Sequence, residues 1–134
     1  MKYQIIEGRE RMRLDDVVRL LKTTYWAKDR TAEQIDRSMR HSACYGVLLE
    51  DEDRLVGFAR VITDYATTYY LCDVIIDEAC RGRGLGSALV GHIAGQSEYA
   101  GMRGMLITRD AHALYRKFGY EVLNDRFMVK KLNC

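Results

Sequence analysis

The sequence has no proline, a single tryptophan (Trp26), and four cysteines (Cys44, Cys72, Cys80, Cys134) without a CxxC spacing or a nearby histidine pair. That pattern excludes the usual zinc modules, and no metal site is expected. The cysteines are expected to be reduced thiols, with Cys44 and Cys72 in strands. No Gly/Ser-rich linker, proline-rich stretch or internal repeat marks a boundary, so residues 1–134 read as one domain. No apolar run approaches the roughly 18 residues of a membrane span. The opening "MKYQIIEGRERMRLDD" lacks the apolar stretch and cleavage site of a signal peptide. A cytoplasmic protein with no membrane partner is the expectation. An excess of charge is missing too: 21 basic against 19 acidic residues leave +2, far from the basic stripe of a nucleic-acid binder. Arg9, Arg11 and Arg13 are interleaved with Glu7, Glu10, Asp15 and Asp16, as on a solvated helix face.

What is present is periodic. "YQII" (3–6) predicts a first strand, and Leu14, Val17, Val18 and Leu21 follow the 3, 4, 7 spacing of an amphipathic helix over 11–22. "TTYWAKDR" breaks that period. "TAEQ" (31–34) has capping-box form and opens a short helix ending near "RHS". Strands are predicted at 44–50 and 55–63, joined by the charged turn "DEDR", and at 68–76, where "TYYLCDVII" reads as a central strand buried on both faces. A helix to about 97 follows, with Leu85, Leu89 and Ile93 on one face, then a strand at 104–108. Asp110 is the predicted N-cap of a short helix in which Ala111, Leu114, Tyr115 and Phe118 share a face and Gly119 ends it. A last strand is predicted at 126–132. Hairpins beside a strand–helix–strand crossover imply a mixed α/β fold with helices on both faces of the sheet.

The segment "EACRGRGLGSALVGHIAG" (78–95) places three glycines and two arginines at the start of a helix. Unpaired N–H groups and the positive dipole end there suit an anionic phosphate. A Walker A loop is excluded because no Gly-Lys pair occurs in the chain. A dinucleotide fingerprint is excluded because Gly82, Gly84 and Gly86 are spaced GxGxG and follow a late strand.

Arg81-Gly82-Arg83-Gly84-Leu85-Gly86 matches [Q/R]-x-x-G-x-[G/A], and with "GFARVITDYA" (57–66) and "DAHALYRKFGYE" (110–121) the chain resembles the GNAT superfamily of acyl-CoA-dependent N-acyltransferases. The wording is similar to a bacterial branch carrying a DAHxLYxKFG signature. The resemblance covers nearly the whole chain, in order. It implies the GNAT fold: a central, mostly antiparallel mixed sheet with a CoA-binding strand–loop–helix. It also implies acetyl-CoA as cosubstrate, with Val74, Ile75 and Ile76 along the pantetheine and thioester. Arg81, Gly82, Arg83, Gly84, Leu85, Gly86 and Ser87 would then lie around the pyrophosphate. By the same resemblance, a backbone N–H at a bulge around Val74–Ile76 receives the oxyanion, and Tyr115 is the acid for the leaving thiolate. The sequence departs from the family where Glu78 stands in place of a frequent proline, Asp110 in place of asparagine and Ala113 in place of glycine.

Asp73 is the single charge inside an apolar strand, which makes it a candidate base or amine anchor and equally a structural ion-pair partner. Asp64 is a second candidate base, alongside a turn role, and His112 is expected to be exposed. The irregular Tyr25-Trp26 segment and the "TDYATTYY" turn are expected to form the acceptor pocket. Tyr25, Trp26 and Asp64 in that pocket, with Asp73, would suit a cation with some apolar body. The expectation is a small-molecule amine acceptor and no nucleic-acid partner, with homodimer formation left open. Protein lysine or N-terminal acetylation, and a non-catalytic acyl-CoA-binding sensor or regulatory module, are the competing readings.

Overall fold

The spacing of Leu14, Val17, Val18 and Leu21 produces a helix, α1 (Leu14–Leu21), with Val17, Leu20 and Leu21 buried. In the computed structural model, which describes residues 2–132, it follows strand β1 (Tyr3–Glu7) and a 3-10 turn at Arg9–Arg11. The second helix, α2 (Ala32–Arg40), opens on a complete capping box. Gln34 N donates to the Thr31 hydroxyl at 3.1 Å, and Thr31 N donates to the Gln34 side chain at 2.9 Å. Two helix-end donors are thereby satisfied by neighbouring residues.

Strands β2 (Ala43–Leu49), β3 (Arg54–Thr63) and β4 (Thr68–Ile76) form a meander, followed by a 3-10 turn at Glu78–Cys80. Helix α3 (Leu85–Ala94), strand β5 (Arg103–Leu106) and helix α4 (His112–Arg116) complete the described elements. The sheet runs β1-β2-β3-β4-β5, antiparallel except for β5, which pairs parallel to β4. Cys44 and Cys72 lie in β2 and β4 as expected.

Two apolar layers hold the sheet. On one face Ile6, Cys44, Phe58 and Ile75 pack under Val17, Leu20 and Leu21 of α1 and Ile35 and Met39 of α2. On the other, Tyr45, Val47, Ala59, Val61 and Leu71 pack under Leu85, Leu89, Val90 and Ile93 of α3. Each large aliphatic side chain so buried contributes about 1.5–3 kcal/mol.

Several expectations are corrected. α3 ends at Ala94, capped at Gly95, and the chain then turns through Ser97–Tyr99 to bury Tyr99. Asp110 caps nothing: the N-cap of α4 is Ala111, whose N–H is taken by Thr108 Oγ1 at 3.0 Å. Residues 126–132 form no strand. Phe127, Met128, Val129 and Leu132 are exposed, and Tyr120 is the last residue packed on a core. A β-rich segment becomes a strand only where an edge and a buried face receive it, and this one reaches neither. The central strand is β3, not β4, which lies next to the edge strand β5, and Tyr69, Tyr70, Cys72 and Val74 are only half-buried, so β4 is not buried on both faces as expected.

Candidate active site

β4 and β5 pair only as far as Leu71↔Leu106. Beyond Leu71, therefore, the β5-facing edge of β4 has no strand partner among the described residues. On the other edge, Arg60↔Cys72 is followed by Phe58↔Ile75, so Asp73 and Val74 together oppose Ala59 in a β-bulge. Asp73 takes the left-handed conformation there, at φ 56°. Asp77 N donates to Val56 O at 2.7 Å, so strand alternation turns the main chain of Val74 and Ile76 away from β3, into the gap. The bulge occupies Asp73 and Val74, starting one residue ahead of the Val74–Ile76 segment that the resemblance implied.

The glycine loop stands at the mouth of this gap. Gly82 and Gly84 have φ of 80° and 78°, a region costly for side chains, and a Cβ at either would meet nothing within 4 Å. Gly84 is the N-cap of α3 and makes no side-chain cap, so the first N–H groups of the helix lack intrahelical acceptors. A Cβ at Gly86 would lie 3.8 Å from Ile76 and 3.9 Å from Leu114, which locates this residue between the end of β4 and α4. Arg81 turns back, its Nε donating to Ile76 O at 3.1 Å, and Lys117 Nζ donates to the Ser87 hydroxyl at 2.7 Å. Asp77, which the sequence did not single out, braces the β4–loop junction by accepting from Arg19 at 3.0 Å and Arg54 at 2.7 Å.

Tyr115 is turned inward on α4 and is 8% exposed. No described residue bonds its hydroxyl, and no fully buried side-chain oxygen lacks a partner, so the hydroxyl opens onto accessible space. Burial, with Asp110 and Tyr25 adding to it, pushes the phenol up to about 12, so it is protonated at neutral pH. Tyr120, edge-on to Tyr115 at 6.0 Å, is tied to β4 by a 2.7 Å hydrogen bond between its hydroxyl and that of Tyr69. A Cβ at Gly91 would meet the Phe118 ring at 3.1 Å, so this glycine sets how closely the α4 end approaches α3.

Asp73 is not placed as a free base. Its carboxylate accepts from Arg30 Nη1 at 2.8 Å, Arg60 Nε at 2.9 Å and Trp26 Nε1 at 3.0 Å. Burial alone would raise its pKa, but the Arg60 and Arg30 guanidiniums outweigh burial and hold it below the usual carboxylate range. Such a group is a weak proton acceptor at neutral pH. Asp64 is likewise occupied: it accepts from the N–H groups of Ala66, Thr67 and Thr68 and from the Thr67 hydroxyl, closing the β3–β4 turn. Those hydrogen bonds, with Thr67 first, depress its pKa strongly. Both candidate bases are thus committed to structure. His112 is half-buried, not exposed.

Tyr25 and Trp26 pack edge-on at 5.0 Å and remain substantially exposed. Arg109 lies 3.7 Å over the Tyr25 ring. The structure therefore brings Trp26 and Asp73 together, places Tyr25 beside them, and leaves Asp64 in its own turn. Arg30, Arg60 and Arg109 were missed from the sequence. One signal was available for Arg60: like Asp73, it is a charge inside a predicted strand.

Residues 13–120 match the acetyltransferase (GNAT) family. The chain is 26% identical over 125 residues, 90% of its length and 71% of the relative's, to an uncharacterized N-acetyltransferase, ycf52, of Porphyra purpurea. It also superposes with a TM-score of 0.90 and 32% identity on a crystal structure from Xanthomonas campestris pv. campestris assigned to GNAT acetyltransferases, covering 98% of this chain and 94% of that one. A GNAT family protein of Streptococcus pneumoniae shares the fold at a TM-score of 0.78 and 24% identity, covering 98% of each chain. A mixed five-stranded sheet, a bulged and splayed β4, and a glycine loop leading into α3 define an acetyltransferase scaffold. The chain belongs to the GNAT acetyltransferase family. GNAT enzymes use acetyl-CoA as cosubstrate. Among the described residues no helix is long and apolar enough to cross a membrane, and no group of acidic, histidine and cysteine side chains is placed to hold a metal.

Proposed function

We propose that residues 1–134 act as one cytoplasmic N-acetyltransferase domain that moves an acetyl group from acetyl-CoA to the amine of a small molecule by direct attack. The observation that carries this reading is the splayed end of β4, with the loop at its mouth and an unpartnered, protonated Tyr115 hydroxyl nearby. The loop fits a pyrophosphate in two respects. Gly82 and Gly84 are open to 4 Å, and the uncapped N-terminus of α3 offers N–H groups and the positive dipole end.

Acetyl-CoA supplies an activated acyl group as its thioester. The loop N–H groups around Gly84–Ser87 hold the pyrophosphate, while the unpaired edge of β4 from Cys72 to Ile76 lines the pantetheine. The main-chain N–H of Val74, turned into the gap by the bulge, donates to the acyl oxygen as negative charge builds there. Such preorganised donors contribute about 2.7–4 kcal/mol. Tyr115 donates its proton to the departing sulfur, a role its raised pKa suits because the phenol stays protonated at neutral pH. Asp73 and Asp64 are held in structural hydrogen bonds and take no proton, so the amine loses its proton to water.

The test is calorimetric titration with acetyl-CoA, followed by thiol release across a panel of amines. Saturable binding with amine-dependent thiol release supports the reading. Binding without amine-dependent release points to an acyl-CoA-binding module, and absence of binding removes the proposal.

A further inference from the structure

The charges around Trp26 run opposite to the cation site read from the sequence. Asp73 is the one carboxylate of the buried cluster, and two guanidiniums share it, leaving a surplus positive charge. Arg60 is about nine-tenths buried, yet only its Nε bonds to Asp73. No described residue accepts from its two terminal amino groups, and no fully buried side-chain nitrogen lacks a partner. Those amino groups therefore reach accessible space from the floor of the cluster. Arg30 spends one amino group on Asp73 and is one-third exposed, so it stands nearer the rim. Arg109, stacked on Tyr25, brings a third guanidinium, and the carboxylate that follows it in sequence, Asp110, acts on the buried Tyr115 phenol. Tyr70, half-buried and within the fields of Arg60, Arg30 and Asp73, adds a hydroxyl with no partner among the described residues.

A guanidinium held rigidly by one edge, with its other edge open, is built to grip a planar or tetrahedral oxyanion. Partial burial strengthens the attraction, because the local dielectric lies far below that of water. We infer that the acceptor amine carries its own acidic group, a carboxylate or phosphoryl, seated on Arg60 and Arg30 with Trp26 along its side. The inference rests on the acetyltransferase reading and narrows its substrate class. Asp73 is then a positioning residue: it fixes two guanidiniums and the indole and touches no reacting atom.

Trp26 is the only tryptophan, so its fluorescence reports this site directly, with or without turnover. The wild-type chain saturated with CoA is titrated with β-alanine, 2-aminoethylphosphonate, n-propylamine and 1,3-diaminopropane, and kcat/KM for each is measured with acetyl-CoA. At least one acidic amine should bind, and be acetylated, at least tenfold better than the neutral and dicationic amines. The carboxylate and phosphonate arms tell the two anion types apart. Arg30→Gln should weaken the preferred acidic amine tenfold or more and leave CoA affinity intact, and Arg30→Lys should recover part of the loss. Equal or better use of n-propylamine or 1,3-diaminopropane, no saturable response to either acidic amine, or unchanged affinity in a folded Arg30→Gln would each overturn the inference. The ligand ranking is read on the wild-type chain, so it stands if the variant loses its fold. Failure of acetyl-CoA to bind overturns the acetyltransferase reading and this one with it. A failed ranking with CoA bound overturns this one alone.

Discussion

The glycine loop, which follows strand β4, and the Asp73 cluster, which lies on it, are built in opposite ways. The loop is contiguous: Gly82 and Gly84 in the left-handed region and an uncapped α3 N-terminus present backbone between the exposed side chains of Arg81 and Arg83. The cluster is assembled from Trp26 and Arg30 before α2, Arg60 on β3 and Asp73 on β4, through hydrogen bonds spanning 47, 43 and 13 residues. A backbone surface serves a ligand part that is the same for every member using it. An assembled side-chain cluster can be re-specified one residue at a time, which is what an acceptor site requires. If this contrast is right, lesions in the loop should strike cosubstrate binding, and lesions in the cluster should strike stability and acceptor choice.

The largest effect is expected at Asp73. Asp73→Asn keeps a residue type that tolerates positive φ but leaves Arg60 and Arg30 without their counter-charge. Breaking a buried pair costs about 3–5 kcal/mol, so chemical denaturation should show a loss of roughly 3 kcal/mol at neutral pH. The same carboxylate sets an acid limb. Its folded pKa lies below the unfolded value, so its stabilisation is present above about pH 4 and is lost as pH falls through the folded value. Asp73→Asn should flatten that limb. An unchanged midpoint and acid profile would mean the cluster holds nothing together.

Tyr115→Phe comes next. The ring still fills its buried place, and only the O–H is lost. Turnover should fall about 100-fold, roughly 2.7 kcal/mol, with acetyl-CoA affinity spared. Wild-type kcat under a chemistry-limited regime would return this tyrosine to the core.

Gly84→Val and Gly86→Val should each weaken acetyl-CoA at least tenfold, about 1.4 kcal/mol, in calorimetry. Their causes differ. At Gly84 the backbone conformation is at stake, because a Cβ there has open space. At Gly86 the added bulk presses between Ile76 and Leu114. Loss of acceptor affinity with intact acetyl-CoA binding would invert the assignment of the two regions.

The smallest effect is expected at Asp64. Asn can accept most of the same turn hydrogen bonds, so Asp64→Asn should leave kcat within about twofold. A drop of two orders of magnitude with normal stability would make this carboxylate the base after all.

Much of the fold was legible because its signals are local. The capping box at Thr31, the α1 stripe and the bounds of β4 all follow from residues within a few positions of one another. The strand expected at 126–132 failed for the complementary reason: its β character is local, but the edge it needs is not. Asp110 failed by one residue: α4 begins at His112 with Ala111 at its N-cap, and the Ala111 N–H is held by the Thr108 hydroxyl. At the site, the loop and Tyr115 were visible as motif positions. The role of Asp73 was balanced between base and ion pair until its three donors were in place.

The sequence alone determined the local features that carry the resemblance: a glycine loop at a helix start whose spacing excludes nucleotide loops, and a tyrosine on an inward helix face. Both depend on conformational preferences that act over one turn of chain. The sign of the charge around Trp26 was decided only by the tertiary structure. Asp73 reads as negative in a one-dimensional chain, and folding surrounds it with Arg60, Arg30 and the Trp26 indole until the cluster is positive. The physical reason is range: hydrogen bonding and helix periodicity act between near neighbours, whereas a Coulomb field is summed over whatever the fold brings within a few ångströms.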